Sequence, residues 1–158
     1  MALTPGSVWR NPIHFAAFGF GSGAAPVAPG TFGTLAAVAL YLLLPTMSVL
    51  VYCVFLLLTF ALGVWLCERT ARDIGVHDHG GIVWDEFVGY WLTMLLAPPG
   101  WLWIVLGFVL FRFFDIVKPW PIRWLDANVE GGFGIMIDDV LAAIMALVCM
   151  QLLAVVIL

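Results

Sequence analysis

The sequence predicts an all-α integral membrane protein. It reads as a single domain over 1–158, a helical bundle of about four or five spanning or re-entrant helices with the polar site on one face. Three observations carry this. The chain is 64% hydrophobic and 10% charged, with mean hydropathy +1.10; a soluble domain is about half apolar and about a quarter charged. The charges are also segregated: apart from Arg10, every one lies in Glu68–Glu86 or Arg112–Asp139. Finally, the apolar stretches lack the period-two alternation of a transmembrane barrel.

Each element can be justified in order. Phe18–Gly30, FGFGSGAAPVAPG, is too rich in Gly and Pro for a helix and reads as a loop. The N-terminal apolar region therefore does not read as a signal peptide, which needs a basic start followed directly by an apolar run. Thr31 or Thr34 is expected to cap the next helix. Leu35–Leu44 is solidly apolar, and Pro45 ends it. Ser48–Leu66 forms a second apolar run, and the two are expected to pair as a hairpin. Gly75, Gly80 and Gly81 mark a loop, and Trp84-Asp85-Glu86 opens a helix whose dipole suits two carboxylates. Phe87–Leu96 and Trp101–Phe114 are apolar limbs split by Ala97-Pro98-Pro99-Gly100. These limbs are short enough to be a re-entrant hairpin or thin, tilted spans. Pro119 and Pro121 interrupt the helix around Trp120. Gly131, Gly132 and Gly134 precede a final helix, with Asp138 and Asp139 in or near its first turns and Val140–Leu158 long enough to span. Trp84, Trp101, Trp103, Trp120 and Trp124 are expected at the membrane interface. Two hairpins would put the N-terminal loop and both charged windows on one side. All six Lys and Arg then lie there, which marks it as cytoplasmic.

Several functions are excluded. A net charge of −4 and a pI near 5.0 do not suit a nucleic-acid binder, so no nucleic-acid partner is expected. Cys53, Cys67 and Cys149 form no C-x-x-C pair and read as small apolar residues rather than zinc or redox ligands. Nucleophile-based phosphatase designs are missing too. The arginine of a Cys-x5-Arg loop would fall at Asp73, and neither Asp-x-Asp nor G-x-S-x-G occurs.

The residues left for chemistry are few. Acids beside a membrane are costly and usually have a task; here these are Asp85, Glu86, Asp115, Asp138 and Asp139. Carboxylates without His or Cys partners suit a hard cation such as Mg2+. Arg112, Lys118 and Arg123 offer a planar fork or point charge for phosphate oxygens, or serve as interfacial anchors. Arg112 and Asp115, three apart, also suit a simple ion pair. GFGSG lacks the lysine of a P-loop; a backbone approach to a headgroup and plain packing are both open. His77 and His79 flank Asp78 and could supply a general acid, although a solvated loop explains them more simply.

Three blocks add a resemblance. GFGSGAAPVAPGTFGT (Gly19–Thr34), IVWDEFVGYW (Ile82–Trp91), and FRFFDIVKPWPIRWLD with GGFGIMIDDVLA (Phe111–Asp126, Gly131–Ala142) resemble the phosphatidylglycerophosphatase A family. The resemblance implies a Mg2+-dependent enzyme of the bacterial inner membrane, which removes the terminal phosphate of phosphatidylglycerophosphate to give phosphatidylglycerol. Its catalytic set would be Asp85, Glu86, Asp115, Asp138 and Asp139. The resemblance does not divide the roles; from residue chemistry, Asp85, Glu86, Asp138 and Asp139 are expected as metal ligands, and Arg112, Lys118, Arg123 and Thr31 as substrate binders. The partner is then a phospholipid in the bilayer. The alternatives are a phosphatase for another headgroup such as phosphatidic acid, or a small ion or proton transporter. A transporter would carry its acids in mid-span, whereas these cluster towards helix ends.

Overall fold

A computed structural model describes residues 4–158. Among the described residues there are seven α-helices, two short 3-10 turns (Gly6–Trp9 and Ser22–Ala24) and no strand. The helices are α1 Pro12–Ala17, α2 Pro29–Leu43, α3 Val49–Ile74, α4 Trp84–Thr93, α5 Trp101–Val117, α6 Ile122–Asn128 and α7 Gly131–Ile157.

The centre of the bundle is α4, which is only 10 residues long. At 1.5 Å per residue it rises about 15 Å, too little to cross a bilayer. All its residues except Leu92 are buried. A helix buried all round must be enclosed by others, and α2, α3, α5 and α7 all pack on it. Side-chain donors tie it in. Trp91 Nε1 donates to Ala37 O of α2 at 3.1 Å, and Trp84 Nε1 to Thr59 O of α3 at 3.0 Å. Tyr52 of α3 donates its hydroxyl to Trp91 O at 2.5 Å. The apolar runs of α2 and α3 therefore do not form the expected packed hairpin, because α4 lies between them.

The outer helices meet a different environment. α3 and α7 are long and apolar enough to cross a membrane, and only 17% and 28% of their most apolar windows are buried. Leu43, Leu50, Leu57, Leu58, Val155 and Val156 are exposed. A water-soluble protein rarely presents so continuous an apolar surface, and the two long apolar helices are consistent with membrane association.

Local chemistry sets the boundaries. α2 starts at Pro29, two residues before Thr31, because proline at the first helical position needs no N–H partner. Neither threonine caps it; Thr34 Oγ1 donates back to Gly30 O at 2.8 Å instead. Ser48 caps α3 through Val51 N–H, and Gly75, with φ 70°, closes it in the left-handed conformation. α3 runs past Leu66 through the first charged residues, where Glu68–Arg72 and Arg69–Asp73 form i,i+4 pairs.

The largest departure from the sequence reading is at α7. Gly131, Gly132 and Gly134 do not precede this helix; they are its first turn. Glycine is a poor helix former, but a Cβ on Gly132 would lie 2.1 Å from Val64 O of α3. The glycine permits backbone-to-backbone contact, and Glu68 Oε2 caps the end by accepting from Gly132 N–H at 2.6 Å. Asp138 and Asp139 therefore lie two turns inside α7, away from the helix-start position expected for them. Two tryptophans also depart: Trp84 and Trp103 belong to the core, whereas Trp101, Trp120 and Trp124 are exposed.

The N-terminal segment is fastened to the charged end of α3. His14 is buried, with Nδ1 2.9 Å from Ser7 Oγ and Nε2 3.1 Å from Asp73 Oδ2. His14→Ala strips both groups of this partner, at a cost of about 1–3 kcal/mol. The variant is expected to melt lower and to be cleaved faster within residues 4–23. Unchanged limited proteolysis would contradict the clamp.

Candidate active site

Both charged windows and the N-terminal segment converge at one end of the bundle, as shown by the His14–Asp73, Glu68–Gly132 and Arg112–Glu86 contacts. Within that end, Asp85 and Glu86 from α4 and Asp139 from α7 each present a carboxylate oxygen, all within 4.8 Å of one another. All three are buried. Asp85 Oδ1 accepts from Glu86 N–H at 3.0 Å, but Glu86 Oε2 and Asp139 Oδ2 have no hydrogen-bond partner. Unpartnered buried carboxylate oxygens are expensive and call for a compensating positive charge. An all-oxygen donor set of this kind fits a hard divalent cation.

Arg112 of α5 supplies part of that charge. Its Nη1 bonds Asp115 Oδ2 one turn along and stands 3.7 Å from Glu86 Oε1. Its Nε is buried without a partner. Asp115 thus serves first to hold Arg112. Asp138, also buried, lies outside the three-carboxylate group. Its Oδ2 faces Lys118 Nζ at 3.4 Å, while Oδ1 has no partner. Adjacent residues on a helix point about 100° apart, which is why Asp139 turns to the carboxylates and Asp138 to the lysine. Lys118 also reaches Asp126 Oδ1 at 3.6 Å. Burial works against its charge, but Asp138, Asp115 and Asp126 outweigh that and raise its pKa above the ordinary lysine value, so it stays cationic at neutral pH.

The N-terminus of α2 abuts this centre. A Cβ on Gly30 would lie 2.7 Å from Glu86 Oε1 and 3.2 Å from Arg112 Nη2, so a larger residue would displace those two side-chain ends. Thr31 shares that turn and is partly exposed. Arg123, on α6, is exposed, donates to Val117 O at 3.3 Å and makes no ion pair among the described residues.

The loop residues take other roles. Gly19 and Gly23 press against Val83 and Gly81, and Val83 N–H donates to Ala17 O at 2.9 Å. GFGSG therefore packs beneath the start of α4. His77 is exposed, but His79 is buried, accepts from Gly81 N–H at 2.9 Å through Nδ1 and stacks near Phe18. Asp78 is accessible, yet the surrounding protein mass and the charge of Asp126 raise its carboxyl pKa, opposed by Lys118. The sequence reading missed Gly30 and Asp126. Pro29-Gly30 at a helix start was a signal for the first; the second lies across a Pro-Trp-Pro corner, with no periodicity linking it to Lys118.

A buried oxygen-only cluster beside an arginine fits phosphoryl chemistry, and comparison with known proteins decides the kinship. The sequence profile of phosphatidylglycerophosphatase A matches residues 15–154. The chain belongs to the phosphatidylglycerophosphatase A family. Within this family, the Escherichia coli phosphatidylglycerophosphatase A is 51% identical over 137 residues, covering 86% of this chain and 80% of that protein. The Haemophilus influenzae phosphatidylglycerophosphatase A is 55% identical over 140 residues, covering 87% and 86%. A Bacteroides thetaiotaomicron relative, whose name provisionally assigns it a phosphatidylinositol-3-phosphatase activity, is 44% identical over 135 residues, covering 80% and 83%. No solved structure matches the chain significantly.

Proposed function

We propose that this protein is a Mg2+-dependent lipid phosphatase. It hydrolyses the terminal monoester of phosphatidylglycerophosphate at the cytoplasmic face of the bacterial inner membrane and leaves phosphatidylglycerol. The observation that carries the reading is the buried Asp85–Glu86–Asp139 cluster beside Arg112, in a chain of this family. The cytoplasmic orientation is supported by the placement of all the Lys and Arg in or beside the segments that meet at that end.

Asp85, Glu86 and Asp139 would hold the cation. When bound, Mg2+ supplies Lewis acidity and neutralises phosphoryl charge. Arg112, fixed by Asp115, donates to the phosphoryl oxygens through N–H groups the protein leaves free. Lys118 holds one oxygen of Asp138, so the other, Oδ1, accepts the proton of the attacking water. The water oxygen bonds to phosphorus as the bond to the glycerol oxygen breaks; that oxygen takes up a proton to become the free hydroxyl, Asp138 gives back the proton it accepted, and inorganic phosphate leaves. Burial of the carboxylates keeps bulk water out and strengthens each of these interactions.

The test is inorganic phosphate release by the purified full chain in detergent micelles. Phosphatidylglycerophosphate should be turned over, chelator should abolish release, and added Mg2+ should restore it. Full turnover in excess chelator would defeat the metal reading, and no release at all would defeat the phosphatase reading.

A further inference from the structure

The substrate assigned above carries two phosphates: the terminal monoester and the phosphodiester that joins the headgroup to diacylglycerol. Arg112 and the carboxylate cluster account for the monoester alone. A second feature lies beside them. At the corner between α5 and α6 there is a cavity of about 450 Å3, lined by Lys118, Trp120, Arg123, Trp124 and Asn128 among others. No carboxylate lines it. Asp126, the chain neighbour of lining residue Ala127, is engaged by Lys118 at 3.6 Å.

Arg123 sets the character of this cavity. Arg112, Lys118, Arg69 and Arg72 each face a carboxylate. Arg123 instead spends one Nη2 N–H on Val117 O at 3.3 Å, which pins the side chain to the corner and leaves its other donors for a ligand. Trp120 and Trp124, 80% and 55% exposed, flank the mouth. Exposed tryptophan partitions to the headgroup level of a bilayer, the depth of a lipid phosphodiester. Lys118 lines the cavity and also contacts Asp138 at 3.4 Å, so one residue links the cavity to the proposed general base.

We propose that this cavity is a second anion subsite, which receives the internal phosphodiester of the glycerophospholipid substrate on Arg123. This rests on the lipid phosphatase reading above and deepens it. Terminal monoesters are processed at Arg112, and Arg123 selects those whose headgroup carries a second phosphate. A single-phosphate lipid such as phosphatidic acid cannot fill both places at once.

The experiment compares the full chain with Arg123→Gln and Arg123→Lys in detergent micelles. Two substrates are used: phosphatidylglycerophosphate, and glycerol 3-phosphate as a soluble monoester without a phosphodiester. Arg123→Gln is expected to lower the ratio of kcat/KM for the lipid to that for the soluble ester by about tenfold, mostly through KM. Arg123→Lys should recover much of it. A second measurement needs no turnover: quenching of tryptophan fluorescence by short-chain phosphatidylglycerol, with short-chain diacylglycerol as the uncharged control. Arg123→Gln should weaken the phosphatidylglycerol response by about tenfold and leave the diacylglycerol response in place. An equal loss on both substrates, no loss on either, or unchanged phosphatidylglycerol binding would overturn the subsite. If the wild-type chain releases no phosphate from any substrate, the phosphatase reading fails and the binding measurement alone decides the subsite.

Discussion

Asp139→Asn is expected to reduce phosphatidylglycerophosphate turnover by about a thousandfold while making the chelated protein harder to melt. The two effects have one origin. Asp85, Glu86 and Asp139 bring three buried carboxylate oxygens within 4.8 Å, and two of these side chains keep an oxygen with no partner. Without a cation, that arrangement costs several kcal/mol in desolvation and repulsion. An amide at 139 removes one of the charges. Its Tm in chelator should therefore exceed that of the wild type, and the rise in Tm on adding Mg2+ should shrink. Thermal melts with and without Mg2+, beside phosphate-release assays, check both arms. Near-normal activity, or a lower Tm in chelator, would remove the cluster from the chemistry.

Much of this site can be read from the sequence, because a chain that is 10% charged has few residues to choose from. The all-helical class and the gathering of the charged windows at one end both follow from segregation of charge. Three-dimensional grouping does not. Asp138 and Asp139 read alike in sequence, yet one faces Lys118 and the other the carboxylates, and only the phase of α7 separates them. Trp103 and Trp101 read alike as anchors, and only the packing of α5 sends one inward. The burial of α4 on every side was equally hidden. A run as apolar as Phe87–Leu96 suits lipid or a protein interior, and its placement between α2 and α3 depends on contacts distant in the chain. The start of α7 was misplaced because glycine opposes helix locally, and the reason it is helical there lies on another helix.

That last point yields the second large effect. Gly132→Ala adds one methyl group where the nearest atoms are backbone: Val64 O at 2.1 Å and Glu68 N at 2.7 Å. A flexible side chain could swing aside, but backbone in the middle of α3 cannot, so α3 and α7 must separate. Overpacking of this kind costs about 1–3 kcal/mol. Separation also stretches the 2.6 Å bond from Gly132 N–H to Glu68 Oε2, a charge-assisted cap on the helix that carries Asp138 and Asp139. For a chain of this size, about 3 kcal/mol corresponds to a fall in Tm of roughly 6–12 °C. Activity should fall with it even in the variant that remains folded, because Asp139 moves relative to Asp85 and Glu86, which ride on α4. Gly6→Ala is the matched control, since a Cβ there would meet nothing within 4 Å. Equal melting temperatures for the two alanine variants would show that α3 and α7 are not held in backbone contact. A melting loss confined to Gly132→Ala, with catalysis per folded molecule intact, would show that the crossing supports the fold without setting the geometry of the carboxylates.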